Sequence, residues 1–163
     1  MLVLVCCQGV ARTYPANLIL LMVFTLFESF LVGAISSTYD TTTVLMAVGI
    51  TAVVVIAITI FAFQTKYDFT GMGIYLFVFA IVMLVFGILC IIIRSKIMNI
   101  VYSALGAVMF SFYLVFDTQL MLGGKHKYSI SPEDYIMAAL NLYIDIIQLF
   151  LHILRLVGAA RGN

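Results

Sequence analysis

YIMAALNLYIDIIQLFLHILRL, residues Tyr135 to Leu156, is apolar enough to sit in a bilayer, yet it carries a polar stripe. Asn141, Asp145, Gln148, His152 and Arg155 are spaced 4, 3, 4 and 3 residues apart. At about 3.6 residues per turn these fall on one helix face. Asp134 and Ala138 extend the stripe towards the N-terminus, and Ile144, Ile147, Leu151 and Leu154 form the opposite face. An acid near the middle of a membrane helix costs roughly 3 kcal/mol on insertion scales. Asp145 is therefore expected to face a protein-lined or water-filled interior.

The rest of the chain has the same character. Of its 163 residues, 65% are hydrophobic, against about 45–50% in soluble domains. The mean hydropathy is +1.24. Charged residues make up 9% and lie between apolar runs whose lengths suit helices rather than barrel strands. A net charge of +1 offers no basic surface, and there is no nucleic-acid-binding motif, so nucleic acid is not expected as a partner. Cys6, Cys7 and Cys90 form neither a metal pattern nor a disulfide framework; they read as small apolar helix residues, with lipidation of Cys6 or Cys7 as an alternative.

The apolar runs predict a single membrane domain over 1–163, with spans at about 16–36, 44–63, 71–93, 97–122 and 134–157. A partial helix at 1–8 precedes them; it is too short to span and lacks the basic flank of a signal peptide. The 44–63 run is twenty residues without a charge. Ser131, Pro132, Glu133 and Asp134 look like the start of the last helix, with Ser131 as N-cap and Pro132 in the first turn. Lys125, His126 and Lys127 read as a solvated loop. Short connections make neighbouring helices antiparallel. The Lys and Arg balance between the two sides is nearly even, which leaves orientation open with a lean towards a cytosolic Lys125–Lys127 loop. A last segment that dips in and returns would put the C-terminus on that same side.

Three acids lie inside spans: Glu28, Asp117 and Asp145. Ser103, Gly106, Phe110, Tyr113 and Asp117 also share a helix face, where small Ser103 and Gly106 would let a neighbouring helix approach. One short loop joins the helices of Asp117 and Asp145, so the two carboxyls can meet, provided the last helix begins outside the membrane. Two carboxyls in contact away from bulk water cannot both ionise easily, and they can share a proton. Protonated, such a pair ties two helices together; deprotonated, it repels itself unless a cation enters. Calcium takes about six to eight oxygens. Asp117 and Asp145, with the amides of Asn141 and Gln148 and water, would give a transient calcium site. The alternative is a buried acid satisfied by a tyrosine or amide that fixes helix register. Glu28 could face the interior or bond Thr25 or Ser29. His152 and Arg155 could equally mark the membrane boundary.

No Ser-His-Asp, Walker, dinucleotide or metal-ligand pattern is present, and no cofactor is expected. Two aspartates on two membrane helices also suit an intramembrane aspartyl protease. However, Val115-Phe116-Asp117 and Tyr143-Ile144-Asp145 lack the Gly-x-Gly-Asp setting of those enzymes, and the reading is of a non-enzyme.

Gly106-Ala107-Val108-Met109-Phe110-Ser111 leading to Phe116-Asp117-Thr118-Gln119 resembles the signature of the transmembrane Bax inhibitor motif family. So does Ser131-Pro132-Glu133-Asp134-Tyr135 followed by Ala139-Leu140-Asn141-Leu142-Tyr143-Ile144-Asp145-Ile146-Ile147. Gly123-Gly124-Lys125, Tyr14-Pro15-Ala16-Asn17 and Phe24-Thr25-Leu26-Phe27-Glu28 look like its lifeguard branch. The resemblance runs from end to end. It implies an all-α polytopic membrane protein, a helix bundle around a central C-terminal helix, here missing the first helix and most of the second of a seven-helix fold. The early-helix arginine that latches the aspartate pair in bacterial members has no counterpart.

The resemblance also implies function: suppression of apoptosis and a pH-sensitive calcium leak from internal stores such as the endoplasmic reticulum or Golgi, with the plasma membrane as a further location. Asp117 and Asp145 would be the proton-sensing gate. Glu28, Asn141, Gln148 and Tyr113 would line or support the pore, and calcium would be the permeant ion. The alternative is a non-conducting anti-apoptotic regulator that acts through membrane protein partners in calcium and death signalling.

Overall fold

The structure is a computed structural model that describes residues 13–123, 127–131 and 134–162. The partial helix expected at 1–8, Cys6, Cys7, Lys125, His126, Pro132 and Glu133 lie outside the described residues. Among those described, the elements are α1 (Ala16–Ser36), α2 (Thr41–Gln64), a 3-10 turn (Phe69–Met72), α3 (Gly73–Ile93), α4 (Lys96–Leu122) and α5 (Tyr135–Arg161). Among the described residues, five helical segments are long and apolar enough to cross a membrane. The chain is an all-helical polytopic bundle.

Helix α5 is the centre of that bundle. It packs against α4, α2 and α1, while α3 leans on α4. Half of its most apolar stretch is buried, whereas none of the corresponding stretch of α1 is. Both faces of α5 are used. Leu149, Phe150, Leu151, Ile153 and Leu154 form a core with Ala47 of α2, and Leu140 packs with Leu20, Leu21 and Phe24 of α1. The outer helices bury only seams. On α3 the buried residues are Leu76, Met83 and Cys90, at seven-residue spacing, and nearly everything between them faces outwards. On α2 they are small: Thr43, Ala47, Thr51 and Ala62. The exposed Ile, Val, Leu and Phe side chains of α1, α2 and α3 suit contact with acyl chains.

The two ends of the bundle are tied by different devices. At one end, Gln119 of α4 is fully buried and gathers the α2–α3 connection. Its Oε1 accepts from the Phe69 N–H at 2.7 Å, and its Nε2 donates to the Tyr67 carbonyl at 3.0 Å and the Ala62 carbonyl at 3.4 Å. Asp68 accepts from the Thr70 N–H at 2.9 Å and from the Lys127 N–H at 2.7 Å. The Tyr128 N–H donates to Thr70 Oγ1 at 3.2 Å. The two polar loops are thereby joined. Several backbone groups of the connections thereby gain side-chain partners.

At the other end, Asp40 caps α2 through the Thr43 N–H at 3.3 Å and the Thr43 hydroxyl, and it pairs with Arg161 at 3.6 Å. That pair puts the C-terminus at the end opposite Lys127. The last helix therefore runs straight through the bundle, and a dipping return does not occur. Helix α5 starts at Tyr135 with Asp134 at the cap position, and the Asp134 N–H donates to the Ser131 carbonyl in the turn before it; Pro132 and Glu133, which the expected Ser131 cap would begin, lie outside the described residues. Helix α2 starts three residues earlier than its charge-free run, because Asp40 supplies the cap.

The Thr43 hydroxyl chiefly holds the Asp40 carboxyl below its usual range; desolvation opposes it, and the Thr43 backbone N–H and the Arg161 charge add to the lowering. A lowered carboxyl stabilises the fold at neutral pH, and that contribution is lost as pH falls through the lowered value. Asp40→Asn keeps a capping oxygen and loses the charge; Asp40→Ala loses both. Thermal unfolding in detergent at neutral pH is therefore expected to rank wild type above Asp40→Asn above Asp40→Ala, with the first two converging in acid.

Candidate functional site

The α4–α5 seam holds the chemistry. On α4 the face towards α5 begins at Lys96 and continues through Asn99, Ser103, Gly106, Phe110, Tyr113 and Asp117 at alternating spacings of three and four. On α5 it is the stripe from Asn141 to Arg155. Antiparallel packing of the two stripes brings the side chains of Asp117 and Asp145 next to one another, close enough for the two carboxyls to interact. Asp117 is 6% exposed and Asp145 5%, so bulk water does not serve either. Oδ2 of Asp145 receives no hydrogen bond from any amide, hydroxyl or amine among the described residues. An ionised carboxylate only accepts, so a hydrogen bond between two carboxyls needs a proton on one of them.

Depth is settled by helix length. Asp117 lies five residues before the end of α4, and Asp145 ten residues after the start of α5. The first turns of α5 therefore project beyond the end of α4 by about 8 Å at 1.5 Å per residue.

The other expected residues are distributed unevenly around the pair. Tyr113 is half-buried one turn before Asp117, within electrostatic range of both carboxylates, with its ring 6.0 Å from that of Phe110. Asn141 and Gln148 are half-buried on the α5 stripe, one turn to either side of Asp145, and make no side-chain hydrogen bond among the described residues. Glu28 is half-buried on the α1 face that carries Phe24 and Val32 towards α5, and makes no hydrogen bond or ion pair among the described residues. The Thr25 and Ser29 hydroxyls return to carbonyls of their own helix, Leu21 and Thr25, at 2.8 and 2.7 Å. The expected bond from Glu28 to one of these hydroxyls is thus replaced by back-bonding within α1, which satisfies a hydroxyl locally in an apolar medium.

His152 departs most from the sequence reading. It is 4% exposed and does not mark a boundary; that position falls to the exposed Arg155. Its ring stacks on Phe110 at 5.7 Å and tilts against Tyr102 at 5.4 Å. Nδ1 has no partner among the described residues. Gly106 makes the space: a Cβ there would come within 2.2 Å of the imidazole. Gly158 does the same for the Tyr39 ring, at 2.5 Å. The signal for His152 was present in the sequence, since glycine on one stripe faces a flat ring on the other.

As for a metal, no group of three or more His, Cys, Asp or Glu side chains is gathered among the described residues. Two carboxyls fall well short of the six to eight or so oxygens that hold calcium firmly.

Comparison with known proteins places this architecture. A sequence model described as Inhibitor of apoptosis-promoting Bax1 matches residues 1–162. Protein lifeguard 3 of Homo sapiens is 48% identical over 161 residues, which cover 96% of this chain and 51% of that protein. Protein lifeguard 3 of Mus musculus is 48% identical over 162 residues, covering 97% and 52%. Protein lifeguard 4 of Mus musculus is 39% identical over 148 residues, covering 91% and 60%. The chain spans about half the length of the lifeguard 3 proteins it matches.

The Gly106–His152 contact makes the seam testable. Gly106→Ala overpacks it and is expected to lower stability by about 1–3 kcal/mol. His152→Ala empties the space that the new methyl needs, so the double variant should be more stable than the sum of the single effects implies, in a thermal-unfolding cycle.

Proposed function

This chain belongs to the family described as Inhibitor of apoptosis-promoting Bax1, and from that premise we propose that it carries the proton-sensitive gate of a multi-spanning membrane protein that leaks calcium and restrains cell death. The observation that supports this reading is the burial of Asp117 and Asp145 side by side between two membrane helices. With one proton the pair is a latch that holds α4 against α5. Loss of that proton leaves two negative charges in a poorly hydrated seam, which repel unless a cation enters. A divalent cation is the best counter-charge, and two carboxylates with two half-buried amides hold it weakly enough to let it pass. Asn141 and Gln148 flank the pair with free amide oxygens, Tyr113 lines the approach from α4, and Glu28 faces α5 from the other side. A leak of this kind restrains death signalling by lowering the calcium held in an internal store, and we place the protein in an endomembrane, the endoplasmic reticulum or Golgi, on that ground.

Calcium flux from vesicles that contain the purified chain tests the gate. Flux should rise as the pH is raised from mildly acidic to mildly alkaline, because the latch loses its proton. Changing both Asp117 and Asp145 to Asn keeps hydrogen-bonding groups but removes the titration, so the flux should become independent of pH. A full pH response in the double variant would overturn the gate. Absence of flux together with retained protection of cells would favour a non-conducting regulator that works through membrane partners.

A further inference from the structure

The α4–α5 seam has a second end. Opposite the aspartate pair it opens into a cavity of about 560 Å³, lined by Arg94, Lys96, Asn99, Ser103 and Arg155, with Tyr39 on its rim. The end of α3, the start of α4, the α1–α2 turn and the last turns of α5 meet there, so it lies at one face of the membrane-spanning bundle. Among the described residues, the acid at this end is Asp40, and it is paired with Arg161. Arg94, Lys96 and Arg155 are exposed, and no ion pair is seen for them among the described residues. The 27-residue α4 begins at Lys96 with no side-chain cap from Ser95, so its first-turn amides add positive potential at the same spot. Lys96, Asn99 and Ser103 lie on one face of α4 and supply a cation, an amide and a hydroxyl in line.

The surroundings choose between a soluble anion and an amphiphile. Ile93 and Ile97 flank Arg94 and Lys96 in the chain and are 55% and 74% exposed; Ile100, 37% exposed, lines the cavity itself. A basic hollow bordered by lipid-facing isoleucines suits a charged head with acyl chains lying alongside. We propose that this cavity binds the phosphate-bearing headgroup of an anionic phospholipid, whose chains pack on the Ile93–Ile100 face. Basic pockets between membrane helices draw anionic headgroups by the same combination of charge and position at the interface. The site is independent of the leak: it uses neither aspartate, and it would exist in a non-conducting protein.

The test uses the 163-residue chain in neutral detergent, with bound lipid counted by native mass spectrometry. Phosphatidylglycerol and phosphatidylcholine of matched acyl chains are compared, with glycerol phosphate as a competitor that has the head and no tail. Phosphatidylglycerol should be retained roughly tenfold or more over phosphatidylcholine. The triple change Arg94→Gln, Lys96→Gln, Arg155→Gln should remove that preference, and Arg155→Gln alone, at an exposed position, should remove part of it. Changing Lys66 and Lys127 to Gln at the opposite end should leave it intact. Equal retention of the two lipids, or an unchanged preference in the triple variant, would overturn the proposal. So would displacement by glycerol phosphate as effective as displacement by lipid, which would make the cavity a site for a soluble phosphate.

Discussion

A carboxyl group carried into an apolar helix must be neutralised, hydrated or bonded, and Asp145 is carried into a helix buried on nearly every side. Its backbone is fixed by a 27-residue helix, Ile144 and Ile146 adjoin it in the chain, and Asp117 lies beside it on α4. Much of the architecture follows from bringing these two groups together. Helix α5 must lie against α4 over most of its length, so it occupies the centre. Its first turns project past the end of α4, and Lys127 and Tyr128 in the connection before it are pinned at the bundle end by Asp68 and Thr70 of the α2–α3 connection, which Gln119 holds in turn.

Close approach along this seam is made by residues that have little or no side chain. Gly106 admits the ring of His152, Gly158 admits that of Tyr39, and Ala47 and Thr51 let α2 close on α5 from its other side. In lipid, helices gain nothing from hiding apolar surface against each other, so tight packing and internal hydrogen bonds must supply the cohesion. Several hydroxyls, those of Thr51, Ser111 and Thr118, return to their own helix. Asp145 Oδ2 and His152 Nδ1 are buried in the seam without such a bond among the described residues.

Much of this was legible in the sequence, for identifiable reasons. Long apolar runs bounded by charges gave the spans, and the 4, 3, 4, 3 spacing of the last stripe gave the orientation of α5. The pairing of Asp117 with Asp145 followed from adjacency in the chain together with the cost of an isolated buried acid. Gln119 was less legible, because an amide near a helix end reads as an interfacial residue until the α2–α3 connection is folded onto it. His152 was left open between the stripe and the membrane boundary, because histidine near the end of a span suits either; its burial over Gly106 on another helix shows that it is packed inside. Glu28 was readable as an intramembrane acid, but periodicity on a single helix could not settle whether its neighbouring hydroxyls bond it or their own backbone. The Asp40–Arg161 pair joins residues far apart in sequence, and no local pattern announces it.

The central physical claim is a proton shared by two carboxyls inside the seam, and infrared spectroscopy of the carboxyl stretch reads it directly. In the wild-type chain at mildly acidic pH a protonated-carboxyl band is expected; it should shift in each of Asp117→Asn and Asp145→Asn, and vanish in the double variant. A wild-type spectrum with no protonated carboxyl at that pH, or a band that neither single substitution moves, would contradict it.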